Sequence, residues 1–358
     1  MGRKSYPILV INPGSTSTKL ALFEGKKEIW KTNLNHSQEE LAKCKDLKDQ
    51  YPMRKKAVTE ALKLAGIEIK DLSAIISRGA PLKPLPGGTY YINDAMLDDL
   101  VNLRLQSPHI SFVGGVIARE LAKGTRIPVF TADPISVDEY EPLARYTGLP
   151  DIQRKSLWHA LNCRAAARIA AQKLKRNFNQ LNLILVHLGG GFTVAALKKG
   201  KAVDSGNANS EGPFSPERTG DLPLVELMEW MEKKQLSPKD VIKIATRQGG
   251  FVAYLGTSDG REVEKLIDQG DKRALELTRA MAYQVAKEVG GMASVLKGKV
   301  DAVVITGGLA KWGMLVKEIK QYAGFIAPFI IVPGEEEMEA LALAALRVLE
   351  KKEKPRNY

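Results

Sequence analysis

The chain has 358 residues, 44% of them hydrophobic, which suits two globular domains with cores of their own and excludes a fibrous or disordered protein. Its 53 lysines and arginines against 41 acids leave a formal charge of +12, yet the basic residues are scattered beside acids with no aromatic stacking series, so a small anionic partner is expected and nucleic acid is not. Cys44 and Cys163 lie far apart and match no disulfide or metal framework, no leader precedes the first strand signal, and no apolar run approaches the ~20 residues of a membrane helix; a cytoplasmic protein is expected.

The chain opens on an apolar, β-branched run at residues 8–11, read as a buried strand. A Pro13-Gly14 turn follows with the hydroxyls of Ser15, Thr16 and Ser17, and a second strand leaves carrying Lys19 at its head. Backbone N–H groups, hydroxyls and an ammonium in one small volume make a cradle for a phosphate-sized anion. An ordinary glycine-turn hairpin fits this segment equally well. Helical periodicity covers 38–64, a buried strand covers 72–76 and ends at Ser77-Arg78-Gly79, and a short strand at 90–92 precedes a helix over 94–104. A helix over 114–123 leads to a strand at 127–131 and to Asp133-Pro134. Strand and helix in alternation predict a mainly parallel sheet covered by helices.

The proline-rich stretch 133–150 reads as the crossing between halves, followed by an alanine-rich helix over 158–176. Residues 183–197 then repeat the opening plan: apolar strand, Gly189-Gly190-Gly191 turn, apolar strand. Gly25-Lys26 closes the first such unit and Gly200-Lys201 the second, so the architecture is duplicated about one domain length apart. Helices are expected at 224–233, from Ser237-Pro238, over 275–296 with many small residues, and over 338–349; a buried strand at 300–305 ends in Thr306-Gly307-Gly308. Two halves with a phosphate turn each predict a nucleotide held in a cleft between them.

Four pieces, in this order and spacing, resemble the acetate and butyrate kinases of the actin, sugar kinase and heat-shock ATPase superfamily. They are residues 12–19, Val186-His187-Leu188-Gly189-Gly190-Gly191, Pro216-Glu217-Arg218-Thr219-Gly220-Asp221, and Thr306-Gly307-Gly308-Leu309-Ala310. The chain length, together with Ile76-Ser77-Arg78-Gly79-Ala80 and Lys155-Ser156-Leu157-Trp158-His159-Ala160-Leu161-Asn162, is similar to the butyrate kinase branch. The resemblance implies an α/β protein of two actin-like, ribonuclease H-like domains, each a mixed sheet flanked by helices: 1–135 with 338–358, and 136–337. It implies phosphoryl transfer from ATP to a short carboxylic acid such as butyrate, with isobutyrate, propionate and acetate as alternatives, in an assembly of at least two copies. A non-kinase actin-like ATPase is the competing class.

The residues suit that chemistry on their own grounds. A carboxylic acid with a pKa near ~4 to 5 is already ionised at pH 7 and needs no base, so the protein must offset repulsion between two anions with Arg, Lys, His and Mg²⁺. Arg78 stands at the C-terminal end of a buried strand, where open α/β sheets bind ligands, and Arg218 in a Pro- and Gly-rich loop. By the resemblance, Arg78 and Arg218 hold the carboxylate and the phosphoryl group in flight, His159 stabilises that group, and Asp133 lies near the metal and the attacking carboxylate. His109 matches a histidine on the substrate side, although Ile110-Ser111-Phe112 departs from the expected pattern. Phosphates are expected at Asn12, Gly14, Ser15, Thr16, Ser17, Lys19, His187 and Gly189 to Gly191, and adenosine at Gly307, Gly308 and Leu309. Mg²⁺ is expected at Asn12, Asp133 and one of Glu335, Glu336 and Glu337, with Glu337 preferred. His36, in a polar stretch, is expected on the surface.

Overall fold

The computed structural model describes residues 5–334 and 337–358. Two compact units divide the chain, one of Met1–Val137 with Glu336–Tyr358 and one of Asp138–Glu335.

The first unit is built on strands β1 (Pro7–Pro13), β2 (Ser17–Glu24), β3 (Lys27–Asn35), β4 (Ala74–Arg78), β5 (Thr89–Tyr91) and β6 (Val129–Ala132) in the order β3-β2-β1-β4-β6-β5. The first three form an antiparallel meander; β1, β4 and β6 run parallel, and β5 pairs antiparallel with β6. Ile8, Leu9, Val10 and Ile11 are all fully buried. Helices cover this strand on both faces, so its apolar run is continuous rather than alternating. Helices α1 (Gln38–Ala42), α2 (Gln50–Leu64), α3 (Asp94–Val101) and α4 (Phe112–Leu121) belong to this unit, and the C-terminal helix Glu337–Leu349 packs on β1 and β4.

The single helix expected over 38–64 is interrupted. Asp49 draws its carboxylate back onto the backbone N–H groups of Lys45 and Asp46, at 2.9 and 3.0 Å, and such local bonds compete with helical ones. His36 is not on the surface: it is buried, with Nε2 2.9 Å from the hydroxyl of Thr18.

The second unit repeats the scheme with β7 (Asn182–Leu188), β8 (Phe192–Lys198), β9 (Lys201–Ser205), β10 (Ala302–Gly307) and β11 (Phe329–Pro333) in the order β11-β10-β7-β8-β9. An antiparallel meander again feeds two parallel neighbours, and the register slips at the same place, after Leu22 in one unit and Ala196 in the other. Gly25 and Gly200, at φ 60° and 77°, turn the second hairpin of each unit. The expected fold class, mixed sheets flanked by helices in duplicate, is what the chain forms. Helices α5 (Ala160–Lys173), α6 (Leu224–Lys234), α7 (Pro238–Arg247), α8 (Gly250–Leu255), α9 (Gly260–Asp268), α10 (Lys272–Val295) and α11 (Gly313–Ala323) complete the unit. Lys175, at φ 53°, stops α5 short of Arg176, and at its start α5 leaves His159 in the cap position, outside the helix proper. Met281, Ala282, Val285 and Val289 carry α10 onto the core of this sheet. Among the described residues no helix is long and apolar enough to cross a membrane.

Candidate active-site residues in each unit

In the first unit the ends of β1 and β4 lie side by side, with Ile11 opposite Ser77, so Asn12 and Arg78 emerge together at the C-terminal ends of these central strands. Asn12 also pairs with Lys19 across β1 and β2, which puts their side chains on the same face. Lys19 is exposed and makes no ion pair among the described residues. Glu337, the first residue of the C-terminal helix, gathers the cluster: its Oε2 accepts the Asn12 amide at 2.8 Å and lies 3.2 Å from Nη1 of Arg78. Nearby, His109 Nδ1 accepts the Ser111 backbone N–H at 3.1 Å and meets the Ser111 hydroxyl at 2.8 Å. An accepting Nδ1 leaves the proton of the neutral ring on Nε2. Burial and the Arg78 charge push the His109 pKa down to about 4 against the pull of Glu337, so the ring is a neutral donor through Nε2.

Asp133 follows the end of β6 in the left-handed region at φ 40°. Its Oδ1 accepts the Gly88 N–H at 2.7 Å, while its own N–H donates to Gly88 O at 3.0 Å. Gly79, after Arg78, permits this kink, because a Cβ there would stand 2.5 Å from Cβ of Pro134. Behind Arg78 a cavity of about 10 Å³ is walled by Ala80, Leu82, Ile92, Met96 and Leu100, with Gly115, Ser111 and Thr131 completing it.

The turn carrying Gly14, Ser15, Thr16 and Ser17 closes on the bond from Gly14 N–H to Ser17 O at 2.8 Å. Of the expected metal ligands, Asn12 and Glu337 meet, whereas Asp133 bonds Gly88. Glu335 and Glu336 lie outside the described residues. Among the described residues no group of three or more His, Cys, Asp or Glu side chains could hold a metal. Mg²⁺ takes only one or two protein carboxylates beside phosphate and water oxygens. The donor set fits that demand, since Asn12 Oδ1 and Glu337 Oε1 carry no hydrogen bond from the described residues.

In the second unit the backbone N–H of His159 reaches Thr193 Oγ1 at 3.4 Å, and its Nδ1 lies 2.9 Å from the same oxygen. Thr193 pairs with His187 across β7 and β8, and the rings of His159 and His187 stack with centroids 4.3 Å apart. Arg218 folds its guanidinium directly onto the Gly189–Gly191 turn: a Cβ on Gly191 would lie 2.3 Å from Arg218 Cζ, so only glycine leaves room for it. Arg218 Nη1 donates to Ala208 O, and Ala208 N–H donates to Leu157 O at 2.9 Å, which ties the arginine to the segment leading into His159. Burial lowers the Arg218 pKa and Glu217 opposes the fall; among the described residues the buried Arg218 Nε–H has no hydrogen-bond partner. A guanidinium starts so high that it stays charged.

Gly307, at φ 96°, lets β10 end against Leu188, where a Cβ would stand 2.3 Å from the carbonyl oxygen. Beside it opens a groove of about 410 Å³ to which Gly189, Gly190, Gly308, Leu309, Asp259 and Trp312 contribute. Four of the seven residues expected at the second phosphate turn and the adenosine moiety therefore line one groove; Gly191, His187 and Gly307 stand next to it in the sheet.

Sequence reasoning passed over Ser111 and Thr193, which orient the histidines, Trp312, and above all Arg54. Arg54 was legible: Val58 and Leu62 follow it at helical spacing, and all three are buried.

Residues 153–323 match the model of the Acetokinase family. The structure superposes on the acetate kinase of Porphyromonas gingivalis with a TM-score of 0.78 at 19% identity, covering 96% of this chain and 100% of that one. A propionate kinase from Francisella tularensis subsp. tularensis SCHU S4 gives 0.73 at 17% identity over 95% and 98% of the chains. The acetate kinase of Entamoeba histolytica gives 0.73 at 18% identity over 94% and 97%. The fold is that of these three structures, over nearly the whole chain.

Proposed function

We propose that the protein transfers the γ-phosphoryl group of ATP, reversibly, to the carboxylate of a short aliphatic acid, with butyrate or a close straight or branched relative as the acceptor. A carboxylate oxygen attacks the γ-phosphorus, the bond from that phosphorus to the β,γ-bridging oxygen breaks, and ADP leaves as the acyl phosphate forms. No proton moves, so no base is needed. Arg78 is assigned to the acceptor carboxylate, for which a guanidinium offers paired N–H donors. The neutral His109 donates Nε2–H beside it without repelling Arg78. Leu82, Ile92 and Met96 line the gap behind Arg78, and the alkyl tail is assigned to that side; at about 10 Å³ the gap holds no more than one water, so the tail must part these side chains to enter. Arg218 and His159 offset the charge on the phosphoryl group, Asp133 keeps the β6 end and its neighbouring Gly88 in place, and the groove beside Gly308 takes the nucleoside. Mg²⁺, held through the nucleotide phosphates with Asn12 and Glu337, would neutralise phosphate charge.

One observation carries this reading: Arg78 and the neutral donor His109 converge at the C-terminal ends of the central strands, with apolar side chains behind Arg78. Incubation with ATP, Mg²⁺ and each acid from acetate to valerate, with hydroxylamine present, tests it. Acyl hydroxamate should accumulate for at least one acid; ADP released without hydroxamate for any of them would make the protein an ATPase instead.

A further inference from the structure

Arg54 lies in α2, a helix whose other charged residues face solvent, yet its own exposure is 0%. Its guanidinium runs beneath the β1–β2 turn. Nη2 donates to Ser15 O at 2.8 Å, Nη1 to Ser17 O and Thr18 Oγ1, both at 3.0 Å, and Nε to Gln50 Oε1 at 3.1 Å. None of these partners is anionic, and among the described residues Arg54 makes no ion pair. A buried charge without a counter-ion is costly, so its retention asks for a reason. Burial brings its pKa down to about 10, which still leaves it a cation at neutral pH.

The other carbonyls of the turn are held within the sheet, since Thr16 O accepts the His36 N–H at 2.8 Å and Ser17 O takes the Gly14 N–H at 2.8 Å. In a trans peptide the carbonyl and the following N–H point in opposite directions. Fixing Ser15 O inward on Arg54 therefore turns the N–H of Thr16 outward. Thr16 is exposed, so that N–H opens toward solvent on the side of the exposed Lys19. The buried cation beneath adds an attractive field through the turn, in a medium where charge is weakly screened.

We infer that Arg54 is a positioning residue for anion binding: it locks the turn with the Thr16 amide outward, and the phosphate chain that binds there supplies the missing counter-charge. Naming that anion as the phosphates of ATP rests on the kinase reading; the role of Arg54 does not. The residue touches no substrate and acts through the backbone of residues 15–18.

Two measurements test this. In the wild-type protein, amide hydrogen exchange followed residue by residue on adding inorganic pyrophosphate should show slower exchange at Thr16, by at least tenfold; unchanged exchange there would overturn the inference without recourse to any variant. Arg54→Lys keeps the charge but cannot bond Ser15 O, Ser17 O and Thr18 Oγ1 together. It should raise KM for ATP at least tenfold, leave KM for the acid within about twofold, and abolish the pyrophosphate protection. In Arg54→Ala, added guanidinium ion at millimolar concentration should recover part of the nucleotide affinity. Equal changes in both KM values, or none in either, would reduce Arg54 to a core-filling side chain. Protection by pyrophosphate in a protein that forms no acyl phosphate would sink the kinase reading and leave Arg54 its role; acyl phosphate formed with no protection at Thr16 would do the reverse.

Discussion

The β1–β2 and β7–β8 turns occupy equivalent places in two sheets of one topology, yet they handle charge in opposite ways. At the first, the cation is underneath: Arg54 is sealed beneath Ser15 and Ser17 and the turn carries hydroxyls. At the second, the cation is laid on the turn itself, with Arg218 packed where a Cβ of Gly191 would be. A duplicated backbone thus fixes where an anion can sit without fixing what greets it there. Glycine matters for different reasons in the two turns as well. Gly191 makes room for a charged side chain, whereas a Cβ at Gly14 would find only ordinary contacts, 3.6 Å from Ser17 O and 3.8 Å from Ser17 Oγ.

That contrast can be broken or sharpened by substitution. The largest effects are expected from the arginines themselves. Arg78→Ala and Arg218→Ala should each lower kcat by about 10²–10³-fold, the typical loss on removing one preorganised donor, with the circular dichroism spectrum unchanged. Wild-type turnover in either would remove that residue from the account. Next comes the glycine pair: Gly191→Ala must displace the Arg218 guanidinium and should cost more than tenfold in kcat, while Gly14→Ala should leave kcat within about threefold. Equal losses in both would mean that the turns act alike. A smaller, more selective change is expected in the cavity behind Arg78. A Cβ on Gly115 would stand 2.8 Å from Cδ1 of Leu100 and 3.3 Å from Cδ1 of Ile92. Gly115→Ala should therefore move the preference toward the shorter acids by about tenfold in the ratio of kcat/KM for butyrate and acetate, within the range one methylene commands. An unchanged ratio would put the alkyl tail elsewhere.

The smallest effect is one of pH. His109 is held neutral down to about 4 from an ordinary 6.5, and burial and Arg54 lower His36 as well. The unfolded chain takes up protons below 6.5 that these folded rings refuse, so stability is full above that pH and declines as pH falls toward 4. Thermal melts of His109→Gln should show a shallower decline than the wild type between pH 6.5 and 4.5; parallel curves would contradict the burial of a neutral ring.

Much of this was readable before any coordinates. The apolar runs at 8–11 and 183–188, each followed by a glycine turn, announced two sheets, because a strand covered on both faces needs an unbroken apolar sequence. Arg78 and Asp133 were findable for a similar reason, since each follows such a run at its C-terminal end. What escaped the reading was decided partly by contacts distant in sequence. Asn12 and Glu337 were both expected at the metal, but their direct hydrogen bond, between residues 325 apart in number, has no local signal. His36 looked like a surface residue because its neighbours are polar, yet Thr18, whose hydroxyl also takes a bond from Arg54, draws it inward. Arg54 is one charge among many along its helix, although its spacing to Val58 and Leu62 puts it in the buried stripe. The interruption of the 38–64 helix turned on a single carboxylate, Asp49, folding back on its own backbone.

The central claim is that an ionised carboxylate, held by Arg78 and relieved of charge repulsion, attacks phosphorus directly. Butyrate labelled with ¹⁸O in both carboxyl oxygens, incubated with ATP and Mg²⁺ and followed by ³¹P NMR, tests it most plainly. The account predicts an acyl phosphate whose phosphorus resonance carries the upfield shift of a bound ¹⁸O. A phosphorus product bearing only ¹⁶O, with ADP accumulating alongside, would contradict it.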